Sequence, residues 1–293
     1  MMNLPGAVPY SLGMPTRPIE LRFPRPSVMG IVNVTPDSFS DDGLNFEAET
    51  AIASARRMLE EGAAIVDIGG ESTRPGASAV GLEEELRRVI PVLEALAGAP
   101  ISIDTTKAEV ARRALELGAE LVNDVTALRG DPLMAEVVAS SNAYLCLMHL
   151  RGEPRTMQAH PHYLDVVSEV AAFLEERLAF AVAHGVREER ICLDPGIGFG
   201  KTVEHNLALV NRLDVLLAFG RPLLIGFSRK RSLGRLLGDP EATRGTTAAS
   251  IGAALAAFGR GVSIFRVHDV REHIEAWTVA AAIERASSAL GGA

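Results

Sequence analysis

Residues 64–104 read AIVDIGGESTRPGASAVGLEEELRRVIPVLEALAGAPISID and hold one full repeat of the pattern that decides the fold. Ala64–Ile68 is a short apolar, β-branched run that ends in Gly69-Gly70-Glu71 and gives way to a polar loop. Leu82, Leu86, Val89, Leu93 and Leu96 then fall on one helical face, with Pro91 expected to kink that helix. Ile101–Asp104 opens the next apolar run. Outward in both directions the run recurs, at Val28–Val34, Leu121–Val125, Ala143–Met148, Ile191–Asp194, Leu223–Phe227 and Val262–Val267. Such short, near-continuous apolar runs predict strands buried on both faces, as in a parallel sheet covered by helices.

The helices are predicted from stripes of the same period as the first. Leu164, Val167, Ala171, Leu174, Leu178 and Ala181 form one along residues 162–184. Leu207, Val210 and Leu213 form another, and Ile274, Trp277 and Ala281 close the series. Gly62, Gly118 and Gly185 each stand between a helical stretch and a strand, where a C-cap glycine belongs. Eight strands and about eight helices in roughly 240 residues give about 30 per βα unit, the size of a (β/α)8 barrel. A doubly wound sheet is the second reading, but it usually has fewer strands, and no break in the sequence marks a crossover between two halves. The expectation is therefore an α/β protein, a single-domain (β/α)8 TIM barrel over residues 27–293. Residues 1–26 carry Pro5, Pro9, Pro15, Pro18, Pro24 and Pro26, six of the chain's 16 prolines, and are expected to form an extended arm.

Composition narrows the function. The chain has 293 residues, 47% hydrophobic and 23% charged, with 29 Lys and Arg against 37 Asp and Glu. A net charge of −8 with one Trp and three Tyr argues against nucleic-acid binding, which favours a basic excess and stacking aromatics. No apolar run reaches the ~18 residues of a membrane helix, and the N-terminus lacks a secretory pattern, so a cytoplasmic protein is expected. Cys146 and Cys192 lie inside apolar runs without zinc spacing and are expected to be buried free thiols.

The strand ends carry the chemistry. In order they are Asn33, Gly69-Gly70-Glu71, Asp104, Asn123-Asp124, His149, Asp194, Ser228 and Arg266-Val267-His268. Any one of the Asp, Asn or Ser residues would serve as a helix N-cap. Eight alike predict a polar ring at one mouth, the face where barrel enzymes keep their active sites. Asp104, Asn123 and Asp194 suit a flat heterocycle with several N–H donors, since ionised Asp only accepts and Asn does both. A divalent metal, with His149 as an added ligand, or an acid–base pair are the other readings of these carboxylates. Arg266, His268, Lys230 and Arg74 are expected on the opposite side, where cations after strands seven and eight match the usual phosphate corner, although an ion pair within the barrel also accounts for Arg266. The glycine-rich stretch Asp194–Thr202 fails as a Walker A loop because Pro195 stands where Gly is required. It is expected to be a tight turn that admits a flat ligand, with Phe199 packing on it. Residues 35–43, which include Phe39, and residues 72–76 read as polar lid loops.

Taken together, Asn33–Asp41 (NVTPDSFSD), Gly69–Gly76 (GGESTRPG), Ile103-Asp104-Thr105, Asn123-Asp124-Val125, Asp194–Lys201 (DPGIGFGK), Ser228-Arg229-Lys230 and Arg266–Asp269 (RVHD) resemble, in order, the motif set of the dihydropteroate synthases. The resemblance covers about residues 28–270. It implies condensation of (7,8-dihydropterin-6-yl)methyl diphosphate with 4-aminobenzoate for folate synthesis. By the same resemblance Asp104, Asn123, Asp194 and Lys230 hold the pterin, and Asp104, Asp194, Lys230 and Arg266 carry the catalysis. Asn33 through Mg2+, with Arg266 and His268, holds the diphosphate. Thr73, Arg74, Pro75, Phe39 and Phe199 shape the aminobenzoate pocket. Some members of the family have Ser directly after the lysine where this chain has Arg231, which leaves backbone amides of the following helix among the candidates for the aminobenzoate carboxylate. A homodimer through the Ala-rich last two helices is also expected. A folate-dependent methyltransferase needs the pterin pocket without a diphosphate corner, a Schiff-base aldolase needs Lys230 alone, and a catalytically dead pterin-binding scaffold predicts an eroded loop.

Overall fold

A computed structural model gives the structure of residues 17–34, 43–72, 79–152 and 156–290. The strands are β1 (Ser27–Asn33), β2 (Ile65–Gly69), β3 (Ile101–Asp104), β4 (Leu121–Asp124), β5 (Tyr144–Met148), β6 (Ile191–Asp194), β7 (Leu224–Ile225) and β8 (Ile264–Val267). Each falls on one of the predicted runs. All pair in parallel in the order β6-β5-β4-β3-β2-β1-β8-β7, and a Leu193–Leu223 bridge brings the two ends together. The result is the eight-stranded barrel that the sequence predicts.

The helices are α1 (Ile19–Arg22), α2 (Gly43–Glu60), α3 (Leu82–Ala95), α4 (Ala108–Glu116), α5 (Met134–Ser141), α6 (Val166–Ala183), α7 (Val203–Asn211), α8 (Leu213–Leu217), α9 (Arg231–Leu236), α10 (Thr247–Phe258) and α11 (Val270–Leu290). Helix α3 runs unbroken through Pro91. Leu164 corrects the stripe drawn through residues 162–184: it precedes α6, which is capped by the Asp165 side chain, and is 95% exposed.

Side chains alternate along each strand, and the alternation sorts them into two cores. Val28, Val32, Val66, Ile68, Ile101, Ile103, Val122, Leu145, Leu147, Phe265 and Val267 point outward and pack under the helices. Gly30 also faces outward; a Cβ there would meet Met58 Sδ at 2.8 Å, so the glycine lets α2 sit close on β1. Met29, Ile65, Leu121, Tyr144, Cys146, Cys192, Leu224 and Ile264 point inward and fill the lower barrel.

The end of the Pro-rich segment differs from the expected extended arm. Ile19, which opens the single turn α1, and Phe23, which follows it, are buried in that lower core, and the Phe23 ring meets Tyr144 edge-on at 5.8 Å. Tyr144 donates its hydroxyl to Arg17 O at 2.9 Å, and Arg22 Nε bonds Glu120 at 2.9 Å. These apolar side chains close the floor because the inward Tyr, Cys and Leu residues leave an apolar surface that must be covered.

Candidate active site

One step above the floor the inward positions turn polar. Asp67, in the middle of β2, is fully buried and accepts from Ser102 Oγ at 2.6 Å, Asn123 Nδ2 at 3.0 Å and Arg266 Nε at 2.6 Å. Arg266 also donates from Nη2 to Asp104 Oδ2 at 2.7 Å. Asp104 pairs in register with Gly69 of β2 and Asn123 of β4, which sets two of the predicted residues side by side. Asp194 stands at the end of β6, opposite Met148 in the ladder, and its Oδ1 accepts the Gly196 N–H at 2.6 Å.

This layer revises the expected division into an acid side and a basic side. Arg266 bridges Asp67 and Asp104, because a guanidinium buried among carboxylates is stabilised far more by pairing than by standing apart. Asp67 is the central acceptor that the sequence reading passed over. The available signal was its place as the one ionisable residue inside the apolar run Ala64–Ile68. Two of the polar strand ends also leave the mouth. Asp124 points to the helix side and accepts from Thr126 N, Thr126 Oγ1 and Leu128 N, holding the turn after β4. Glu71 pairs with Lys107 at 2.5 Å.

A cavity of about 1060 Å3 opens above the polar layer, lined among others by Asn33, Asp104, Asp194, Phe199, Lys230, Arg266 and His268. Asn123 lies beneath it, 3% exposed. Asp104 Oδ1 and Asp194 Oδ2 accept no hydrogen bond from the described residues, so each carboxylate keeps one oxygen for a ligand. Burial pushes Asp104 up to about 7 against the pull of Arg266 and raises Asp194 as well, against its bond from Gly196 and the nearby Lys230. Lys230 donates to Ile197 O and sits over the Phe199 ring at 4.1 Å, and burial pulls its amine down to about 7. His268 is tied to Ser228, its Nδ1 2.9 Å from the Ser228 hydroxyl. His149 lies under the glycine-rich loop, where Lys201 Nζ reaches its Nδ1 at 2.8 Å. Phe39, Thr73, Arg74 and Pro75 lie outside the described residues. Among those described, no group of three His, Cys, Asp or Glu side chains is arranged to hold a metal.

The chain that builds this site has close relatives. The model of the pterin-binding enzyme family matches residues 29–268. The dihydropteroate synthase of Neisseria meningitidis serogroup C is 48% identical over 267 residues, covering 88% of this chain and 94% of that one. The chain belongs to the dihydropteroate synthase family. Dihydropteroate synthases are transferases that make dihydropteroate, and solved members match most of this chain. The Xanthomonas albilineans dihydropteroate synthase with 4-aminobenzoic acid matches with a TM-score of 0.81 at 49% identity, covering 89% of this chain and 94% of that one. The same enzyme in complex with 7,8-dihydropteroate gives a TM-score of 0.78 at 46% identity, with the same coverage of 89% and 94%. The motifs that carry the resemblance at sequence level therefore mark a true family member. No helix among the described residues is long and apolar enough to cross a membrane.

Proposed function

We propose that the mouth of this barrel joins (7,8-dihydropterin-6-yl)methyl diphosphate to 4-aminobenzoate by a dissociative alkyl transfer that yields 7,8-dihydropteroate and diphosphate. The observation that carries the reading is the pair of free carboxylate oxygens on Asp104 and Asp194, both in buried side chains that face one cavity. A dihydropterin offers ring N–H donors to such acceptors, and Asn123 and Lys230 complete its polar edge. The diphosphate lies toward Asn33, Arg266 and His268, all of which line the cavity. Phe39, Thr73, Arg74, Pro75 and Phe199 surround the aminobenzoate in this reading.

Asn33 is the exposed strand-end amide, and a single amide with substrate phosphates and water suits Mg2+, which commonly keeps few protein ligands. Held there, Mg2+ would supply positive charge against the leaving diphosphate. Arg266 and His268 hold the same anion. The C–O bond breaks toward the diphosphate and leaves a methylene cation conjugated with the ring; Asp104 and Asp194 oppose that positive charge in a site of low polarisability. The arylamine nitrogen then forms the new C–N bond and its proton passes to solvent or diphosphate. No protein nucleophile takes part.

Residues 27–293 form the catalytic unit in this reading, and Ile19 and Phe23 of the preceding segment close its floor. The unit works as a homodimer in the cytoplasm, a reading supported by the exposed Val279 and Ile283 on α11 and by the two free cysteines. The deciding experiment mixes the protein with both substrates and Mg2+ and follows diphosphate release and dihydropteroate. Release that requires all three is expected. A heavy-atom isotope effect showing tight nucleophile participation in C–O cleavage would overturn the dissociative path.

A further inference from the structure

Lys201 is 3% exposed, yet it forms no ion pair with any described carboxylate. Its amine has neutral partners only: Gly196 O at 2.9 Å, Phe199 O at 3.1 Å, His149 O at 3.4 Å and His149 Nδ1 at 2.8 Å. Three of these are backbone carbonyls, drawn from the loop after β5 and the loop after β6. The loop above it is unusually tight. Gly196, Gly198 and Gly200 all take left-handed φ values, of 67°, 78° and 65°. A Cβ on Gly196 would run into His149 O, and one on Gly200 into Arg151 O. The two loops are thus pressed together at Gly196 and Gly200, and Lys201 fastens them from within, beside Gln158 and Tyr163, which donate to Gly198 O and Gly200 O.

The same plate meets the cavity, and Lys201 is itself among the residues that line it. Gly196 N–H donates to Asp194 Oδ1 at 2.6 Å, Ile197 O accepts from Lys230, and the Phe199 ring supports the Lys230 amine. We propose that Lys201 is a positioning residue for pterin binding, acting through the Gly196–Gly200 plate to fix the Asp194 carboxylate and the Lys230 amine at the cavity wall. Burial holds the Lys201 amine well below the ordinary lysine range, and burial beside that amine pushes the His149 imidazole down to about 2. The imidazole is then neutral at physiological pH, so His149 Nδ1 accepts while the lysine donates.

This inference rests on the pterin reading of the cavity, and the test separates the two. Binding of the dihydropterin diphosphate with Mg2+, in the absence of aminobenzoate, is measured by calorimetry on the wild type, Lys201→Met and His149→Leu. Steady-state constants are measured for both substrates. Lys201→Met keeps the stem and removes the donors. It is expected to raise the pterin Kd and KM at least tenfold, with a smaller rise in the aminobenzoate KM because Phe199 belongs to the same loop. His149→Leu retains Lys201 and its carbonyl bonds and is expected to shift the pterin Kd in the same direction by a smaller factor. Amide exchange should quicken in residues 195–201 of Lys201→Met with the β1–β4 amides unchanged. An unchanged pterin Kd in Lys201→Met overturns the inference, as does a parallel loss of affinity for both substrates with exchange raised throughout the barrel. If Lys201→Met does not fold, the His149→Leu pterin Kd decides: equal to wild type, it overturns the inference. Failure of the wild type to bind the dihydropterin at all would instead overturn the pterin reading.

Discussion

Asp104 is pulled two ways. Burial favours its neutral form and Arg266 at 2.7 Å favours the carboxylate, and the balance leaves it titrating at about 7. The ordinary aspartate value is about 3.9, so between these values the folded state binds the extra proton. This group's contribution to stability is therefore full below pH ~4 and lost as pH rises through about 7. Lys230, depressed to about 7, runs the other way: its contribution is full above its ordinary ~10.4 and lost as pH falls through about 7. The ligand-free site is least comfortable near neutrality, where the substrate is to be bound. Asp104→Asn removes the first titration, so the variant's melting temperature relative to wild type should climb between pH 5 and pH 7.5. Parallel profiles would show that Asp104 does not titrate there. The same substitution should lower kcat at least ~10-fold, each ~1.4 kcal/mol of lost transition-state stabilisation being a factor of ten. An undiminished kcat would remove the carboxylate from the transition state.

Among the elements, the strands were legible because two-sided burial writes them as unbroken apolar runs, and even the two-residue β7 sits within one. Alternation was the signal left unused: Asn123 and Asp124 are neighbours in sequence but face opposite sides of the sheet, so only the first belongs to the site. The turn α1 was not legible, since Ile19–Arg22 is too short for periodicity to show. Its role gives a clean separation of stability from activity. Phe23→Ala should cost ~3–5 kcal/mol in denaturant unfolding, as for a fully buried aromatic, while kcat stays unchanged because the floor is remote from the mouth. The loop after β6 offers the converse. Gly196→Ala combines a φ of 67° with a clash on His149 O and should raise the pterin KM along with its stability cost. Gly118→Ala, at φ 99° with nothing within 4 Å of the added methyl, should cost only the ~1 kcal/mol of a strained backbone and leave KM alone. Equal KM values in the two variants would mean that the seating of the loop does not govern the site.

At the scale of the whole molecule, the barrel divides its ends between two tasks. The mouth collects Asp104, Asp194, Lys230 and Arg266 around a cavity of about 1060 Å3, and the floor is apolar and sealed. Since no described group of three metal-binding side chains holds the barrel together, chelation should separate catalysis from folding. EDTA is expected to abolish diphosphate release and leave the melting temperature of the substrate-free protein where it was; a fall in that temperature would reveal a metal that stabilises the fold.

The sealed end has a practical consequence. Cys146 and Cys192 face each other across neighbouring strands, with Ile19 and Phe23 packed in the same cluster. A sulfhydryl reagent dissolved in water meets neither sulfur until that lid of side chains lifts. The rate at which colour develops with such a reagent therefore clocks the breathing of the end where no chemistry happens, unaffected by whatever fills the other.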